Sequence, residues 1–217
     1  MFITFEGIEG CGKTTQIRRL EKRLTHCGIS LLSTLEPGGT TIGMTIRQIL
    51  LDSRNKNLSP LAELILYAAD RAQHIEEIIK PALSQGQWVL CDRFADATIA
   101  YQGSARGMDM TLIRTLNDVI TQGIRPNITF LLDCPVEMGL ERALKRNREQ
   151  VQDGQDRFEQ ERLDFHRAVQ KCYLELAGKE DKRFVIIDAA LPEDEVEQEI
   201  FRFLTPYVDS NNKCHGI

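Results

Sequence analysis

Apolar residues along this chain fall into short unbroken runs, separated by longer stretches in which they recur at every third or fourth position. The runs at 2–5, 30–34, 88–91, 128–132 and 184–187 are bounded by turn residues and show little polar alternation. That pattern predicts five strands buried on both faces of a parallel sheet. Between them, Ile17, Leu20, Leu24 and Cys27 keep helical spacing and stop at Gly28. Ser59 and Pro60 read as a cap followed by proline at the first helical position. They open a helix carrying Leu61, Leu64, Ile65 and Ala68 onward to about residue 83, with Pro81 placed to kink or end it. Leu112, Leu116, Val119 and Ile120 mark another helix, closed by Gly123 and Pro126, and 136–145, 163–176 and 195–204 supply the rest. Strands alternating with helices predict right-handed crossovers and a three-layer, doubly wound α/β sheet, with ligands at the carboxyl ends of the strands.

Composition narrows this to one domain. With 217 residues, 42% hydrophobic and few aromatic, the chain suits a single well-buried α/β core, expected over residues 1–208. Residues 145–160 are charged and almost lack core side chains, so a mobile lid bearing arginines is expected there. The polar stretch 209–217 lacks periodicity and is expected to be a frayed, disordered tail. A net charge of −5 leaves no extended basic face and argues against broad nucleic-acid binding. The six cysteines show no metal-type spacing with the four histidines and read as reduced thiols. No apolar run reaches membrane-spanning length, so a soluble, cytoplasmic protein without a membrane partner is expected.

Candidate chemistry begins directly behind the first run. Gly7-Ile8-Glu9-Gly10-Cys11-Gly12-Lys13-Thr14 fits G-x-x-x-x-G-K-[ST] between a strand and a helix. Glycines let such a loop wrap closely, so backbone N–H groups from residue 7 through Thr15 and the following helix N-terminus can face one polyphosphate. Lys13 would reach the β- and γ-phosphates of ATP, and the Thr14 hydroxyl would ligate Mg²⁺. A chance glycine turn would not bring strand, loop, lysine, hydroxyl and helix in this order. Asp92-Arg93-Phe94 closes the third strand; beside a P-loop, Asp92 can hold the metal's water shell and Arg93 an acceptor phosphate, the plainer alternative being a structural ion pair. Arg47, Arg71, Arg142, Arg146, Arg148 and Arg157 are further cations able to neutralise a transferring phosphoryl group, though not all can occupy one site.

Together these segments carry a family resemblance. The order of F-E-G-I-E-G-C-G-K-T-T at 5–15, E-P-G-G-T at 36–40, Y-A-A-D-R-A-Q-H at 67–74, D-R-F at 92–94, A-Y-Q-G at 100–103 and D-R-F-E at 156–159 resembles the bacterial thymidylate kinases over nearly the whole length. The P-loop alone marks many unrelated proteins; E-P-G-G-T in sequence with the rest is far more specific. The resemblance implies ATP-dependent conversion of dTMP to dTDP for dTTP synthesis, with Mg²⁺, in a homodimer built through helices flanking the sheet. It implies that Glu9 approaches the acceptor sugar's 3′-hydroxyl, Tyr67 stacks on thymine and Arg71 hydrogen-bonds the base. Glu36 and Pro37 frame the acceptor, Arg93 grips its phosphate, and Thr98 and Gln102 stand at the pocket. Tyr101 lies under the deoxyribose, and Ala189, after Asp188, lies beside adenine. Two departures stand out: Leu35 where the family usually has arginine, and Met44 where it has glutamate. Gly10 sits where some relatives carry a P-loop arginine, so the resemblance is to the subtype whose catalytic arginine comes from the lid, here Arg146 or Arg148.

Other readings are a deoxynucleoside kinase, whose 5′-hydroxyl acceptor needs a carboxylate base such as Glu36, and a nucleotide-dependent switch protein. The first leaves Arg71 and Arg93 without an acceptor phosphate. The second wants an N-K-x-D element, which the sequence lacks.

Overall fold

The computed structural model describes residues 1–150 and 156–214. Its centre is a five-stranded, all-parallel sheet in the order β2-β3-β1-β4-β5. The strands are β1 (Phe2–Glu6), β2 (Leu31–Leu35), β3 (Trp88–Asp92), β4 (Ile128–Asp133) and β5 (Phe184–Asp188). Alternate residues feed opposite cores: Ile3, Phe5 and Leu90 point into the larger one, while Phe2, Val89 and Cys91 meet Ile75, Ile79 and Phe94 on the other side. Helices therefore cover both faces, as the unbroken apolar runs of β1, β3 and β4 require. The edge strands depart from the expectation of two buried faces. Along β2 every residue stays partly exposed, and on β5 Ile186 is open to solvent, because an edge strand has a neighbour on one side only.

Around the sheet run α1 (Lys13–His26), α2 (Thr41–Leu51), α3 (Pro60–His74), α4 (Lys80–Ser84), α5 (Ala95–Thr98), α6 (Met110–Thr121), α7 (Val136–Gln150), α8 (Leu163–Lys179) and α9 (Glu193–Cys214). The long helix expected from Ser59 is broken. Between α3 and α4 lies a π-helical turn, Ile75–Ile79, and Pro81 follows in the first turn of α4. Proline has no N–H and its ring crowds the carbonyl four residues back, so the wider turn absorbs the mismatch. A second π-helical stretch, Ile99–Ala105, continues α5 past the end of β3. Two expected boundaries also move. α7 runs on through Gln150, so the first part of the expected lid is helical, and 151–155 lie outside the described residues. α9 extends through Cys214, into the stretch expected to be a frayed tail; residues 215–217 lie outside the described residues.

Candidate active site

At the carboxyl ends of β1, β3 and β2 the loops enclose a cleft of about 1220 Å³. The P-loop takes its shape from three glycines with positive φ, Gly7 at 137°, Gly10 at 68° and Gly12 at 96°. Gly10 also has no room for a side chain: a Cβ there would lie 1.9 Å from the Gly139 carbonyl oxygen of α7. Lys13 is buried and folded back over its own loop, its Nζ donating to the carbonyls of Ile8 at 2.8 Å and Gly7 at 3.1 Å. Thr14 Oγ1 donates to Asp92 Oδ2 at 2.8 Å. Both proposed metal-binding residues thus meet at one point.

The opposite wall is a charged hydrogen-bond network. Arg93 stands in left-handed backbone conformation, φ 70°, which is uncommon for a residue with a Cβ and aims its side chain back over the P-loop. Its guanidinium donates to Gly7 O at 2.8 Å, Tyr173 Oη at 3.2 Å and Glu9 Oε1 at 3.1 Å, and lies 4.8 Å from the centre of the Tyr101 ring. Tyr101 donates to the same Glu9 oxygen at 2.5 Å, and His166 Nδ1 lies 3.1 Å from Oε2. Burial alone would raise the Glu9 carboxyl, but the hydrogen bond from His166 and the charges of Arg93 and Lys13 hold it down at about 2. Beneath it, Glu6 is fully buried and accepts from Phe94 N at 2.8 Å and Tyr173 Oη at 2.6 Å. Burial and then the nearby Asp96 carboxylate push Glu6 up to about 7.

Of the residues read from the sequence, Glu9, Gly10, Cys11, Gly12, Lys13, Thr14, Thr15, Glu36, Pro37, Tyr67, Asp92, Arg93, Thr98, Tyr101, Gln102, Arg146 and Ala189 line the cleft. Gly7, Ile8, Arg71 and Arg148 do not. Ile8 packs into the core and offers only its carbonyl, and Arg148 is exposed on α7. Arg71 is buried, with Nε on Glu36 Oε2 at 2.7 Å, Nη1 on Thr98 Oγ1 at 3.0 Å and Asn117 Oδ1 at 3.1 Å, and Nη2 on the Phe94 carbonyl at 3.0 Å. Four of a guanidinium's five N–H groups are so used, leaving one on Nη2. Arg157 turns away too: Nη1 pairs with buried Glu63 at 2.7 Å and Nε donates to Leu50 O. Arg47 and Arg142 do line the cleft, tied to the carbonyls of Pro37 and Ala189.

The chain is similar to known proteins over nearly its whole length. The family model described as thymidylate kinase matches residues 5–200. The chain belongs to the thymidylate kinase family. Similar relatives include a thymidylate kinase from Geotalea uraniireducens, 53% identical over 92% of this chain and 93% of its own length, and one from Desulfosudis oleivorans, 51% identical over 97% and 99%. The crystal structure of thymidylate kinase from Ehrlichia chaffeensis superposes with a TM-score of 0.75 at 33% identity, covering 94% of this chain and 98% of that one. In this thymidylate kinase family member, sequence reasoning missed His166, Tyr173 and Phe158. His166 and Tyr173 come from the helix after the lid, where they looked like core periodicity, and Phe158 lies in the charged lid segment, where it was read only as part of the D-R-F-E motif. Phe158 lines the cleft and packs its ring edge-on to Tyr101 at 5.5 Å.

Proposed function

We propose that the chain transfers the γ-phosphoryl group of ATP to dTMP, giving ADP and dTDP. Membership of the family supports the activity, and the engagement of Glu36 carries the choice of acceptor. The one carboxylate cast as base for a 5′-hydroxyl is occupied by Arg71 at 2.7 Å and His74 Nδ1 at 2.9 Å, which suits an acceptor that is already an oxyanion and needs no base.

In the reaction a phosphate oxygen of dTMP bonds to the γ-phosphorus as the bond to the β-phosphate's bridging oxygen breaks, so the residues have positioning and charge neutralisation to supply. The P-loop amides and the N-terminus of α1 receive the polyphosphate. Lys13 exchanges its two carbonyl partners for phosphate oxygens. Arg93 takes the acceptor phosphate, and Arg146, the lid arginine that lines the cleft, leaves Glu159 to neutralise the transferring group. Tyr67 stacks on thymine, the remaining N–H of Arg71 serves the base edge with Thr98, and Glu9 accepts from the 3′-hydroxyl above Tyr101. Gln102 and the Glu36–Pro37 turn close the acceptor side, and Ala189 borders adenine. Thr14 and Asp92 are hard oxygen donors 2.8 Å apart and fit Mg²⁺; they would hold it, and it would supply charge neutralisation for the polyphosphate.

A homodimer suits the exposed apolar residues of α2, α3 and α6, among them Ile42, Ile49, Leu61, Ile65 and Val119. A cytoplasmic setting agrees with the free cysteines, and among the described residues no helix is long and apolar enough to cross a membrane. A coupled assay for ADP release over dTMP, dUMP, thymidine and other nucleoside monophosphates tests the reading: turnover with dTMP and none with thymidine is expected. Turnover with thymidine alone would overturn it. Sedimentation analysis tests the dimer, and a monomer at micromolar concentration would count against it.

A further inference from the structure

His166 is the fourth residue of α8 and is fully buried, yet it does not line the cleft. Nδ1 meets Glu9 Oε2 at 3.1 Å, whereas Nε2 is inaccessible and has no hydrogen-bond partner among the described residues. An unpaired buried nitrogen is a cost that an apolar side chain in the same place would avoid, so packing does not account for the residue type. What the ring contributes is one N–H aimed at one carboxylate oxygen.

That oxygen is the one the rest of the network leaves open. Tyr101 and Arg93 both donate to Oε1, and with only that oxygen held the carboxylate could turn about its final bond. A donor on Oε2 fixes its plane. The same face of α8 carries Val169 and Tyr173 at helical spacing, and Tyr173 bridges Glu6 and Arg93. One helix therefore steadies both members of the Arg93–Glu9 pair.

We propose that His166 is a positioning residue that sets the orientation of the Glu9 carboxylate and, through it, the preference for an acceptor bearing a 3′-hydroxyl. This rests on the dTMP kinase reading of the site. His166→Asn places an amide N–H near the Nδ1 position, whereas His166→Gln places it near Nε2 and His166→Phe removes it.

The test is kcat and KM for dTMP and for ATP in each variant, with kcat/KM for dTMP divided by that for its 3′-deoxy analogue. The Gln and Phe variants should lose about tenfold of that preference and raise KM for dTMP, with kcat and KM for ATP within about twofold of wild type. The Asn variant should keep most of the preference. Should the Phe variant fail to fold, the Asn and Gln pair carries the comparison. An unchanged preference in the Gln variant, or equal losses on both acceptors and on ATP, would overturn the proposal. A wild type inactive on dTMP would instead overturn the proposed function.

Discussion

Glu6→Gln isolates a buried carboxyl whose state the fold sets against its chemistry. Glu6 ends β1 with no solvent exposure, and its oxygens are taken by Phe94 N and Tyr173 Oη. Burial and the Asp96 charge lift it from an ordinary 4.5 to about 7, with Arg93 and the two hydrogen bonds pulling the other way. At about 1.4 kcal/mol per pH unit, the ionised form costs the fold on the order of 3 kcal/mol. The sign follows from a folded pKa above the unfolded one. Below about pH 4.5 the group is protonated in both states and nothing is lost; stability falls as pH rises toward 7 and stays reduced above it.

Glutamine keeps an oxygen for Phe94 N and cannot ionise, so the variant should lose this slope. At about pH 8.5 it should exceed wild type by about 1–3 kcal/mol, less whatever the altered bond to Tyr173 costs, or about 3–9 °C in Tm for a chain of this size. Near pH 5 the two should converge or the order reverse. Glu9, held at about 2, contributes stability that is present above 4.5 and lost as pH falls toward 2, outside that window. Asp70, raised to about 6 first by burial and then by Glu36, adds a slope to both proteins and cancels in the difference. Urea unfolding between about pH 5 and about pH 8.5 reads the result. Parallel curves for variant and wild type would refute the buried, raised carboxyl.

Lys13→Met should lower turnover by about a thousandfold or more while leaving the circular dichroism unchanged, since the amine's bonds stay within its own loop, to the carbonyls of Gly7 and Ile8 and the Cys11 sulfur; near-normal kcat in a folded variant would count against the P-loop role. Gly139→Ala puts a Cβ 2.6 Å from the Glu9 carbonyl oxygen and 2.9 Å from Ile8 Cδ1, so despite a better helix propensity it should cost about 1–3 kcal/mol and raise KM for ATP. An unchanged Tm would show that α7 can yield. Arg146→Ala should reduce kcat by about a thousandfold with little change in KM for dTMP, and Arg148→Ala much less, because of these two Arg146 alone lines the cleft; the reverse order in steady-state kinetics would assign the lid cation to Arg148.

The P-loop, the parallel sheet and the family's motifs were legible because each is written in contiguous residues. Gly7 to Thr14 carry both the turn geometry and the residues of the proposed phosphate chemistry, and the buried runs of β1, β3 and β4 need no partner to be recognised. Helix α2 was not, since Thr41–Leu51 shows apolar residues on several faces, Ile42 and Ile49 among them exposed. That α9 continues into 209–214 was not legible, because those residues carry no helical periodicity and follow a helix packed through Ile200, Leu204 and Val208.

Sequence alone therefore determined the fold class, the phosphate loop and the family, all of which rest on local pattern and order. Only the tertiary structure decided which charges are spent on one another. Arg71, Arg157 and Arg146 look alike in the sequence, but Glu63, distant along the chain, turns Arg157 away from the cleft, Glu36, Thr98, Asn117 and the Phe94 carbonyl take all but one N–H of Arg71, and Arg146 lines the cleft paired with Glu159 at 3.3 Å. His166 and Tyr173 read as core positions of a helix until α8 packs beside the P-loop and sets their polar atoms against Glu9 and Glu6. Pairing across 157 or 167 residues is a property of packing, and helical spacing records the face a residue points to but not what waits there.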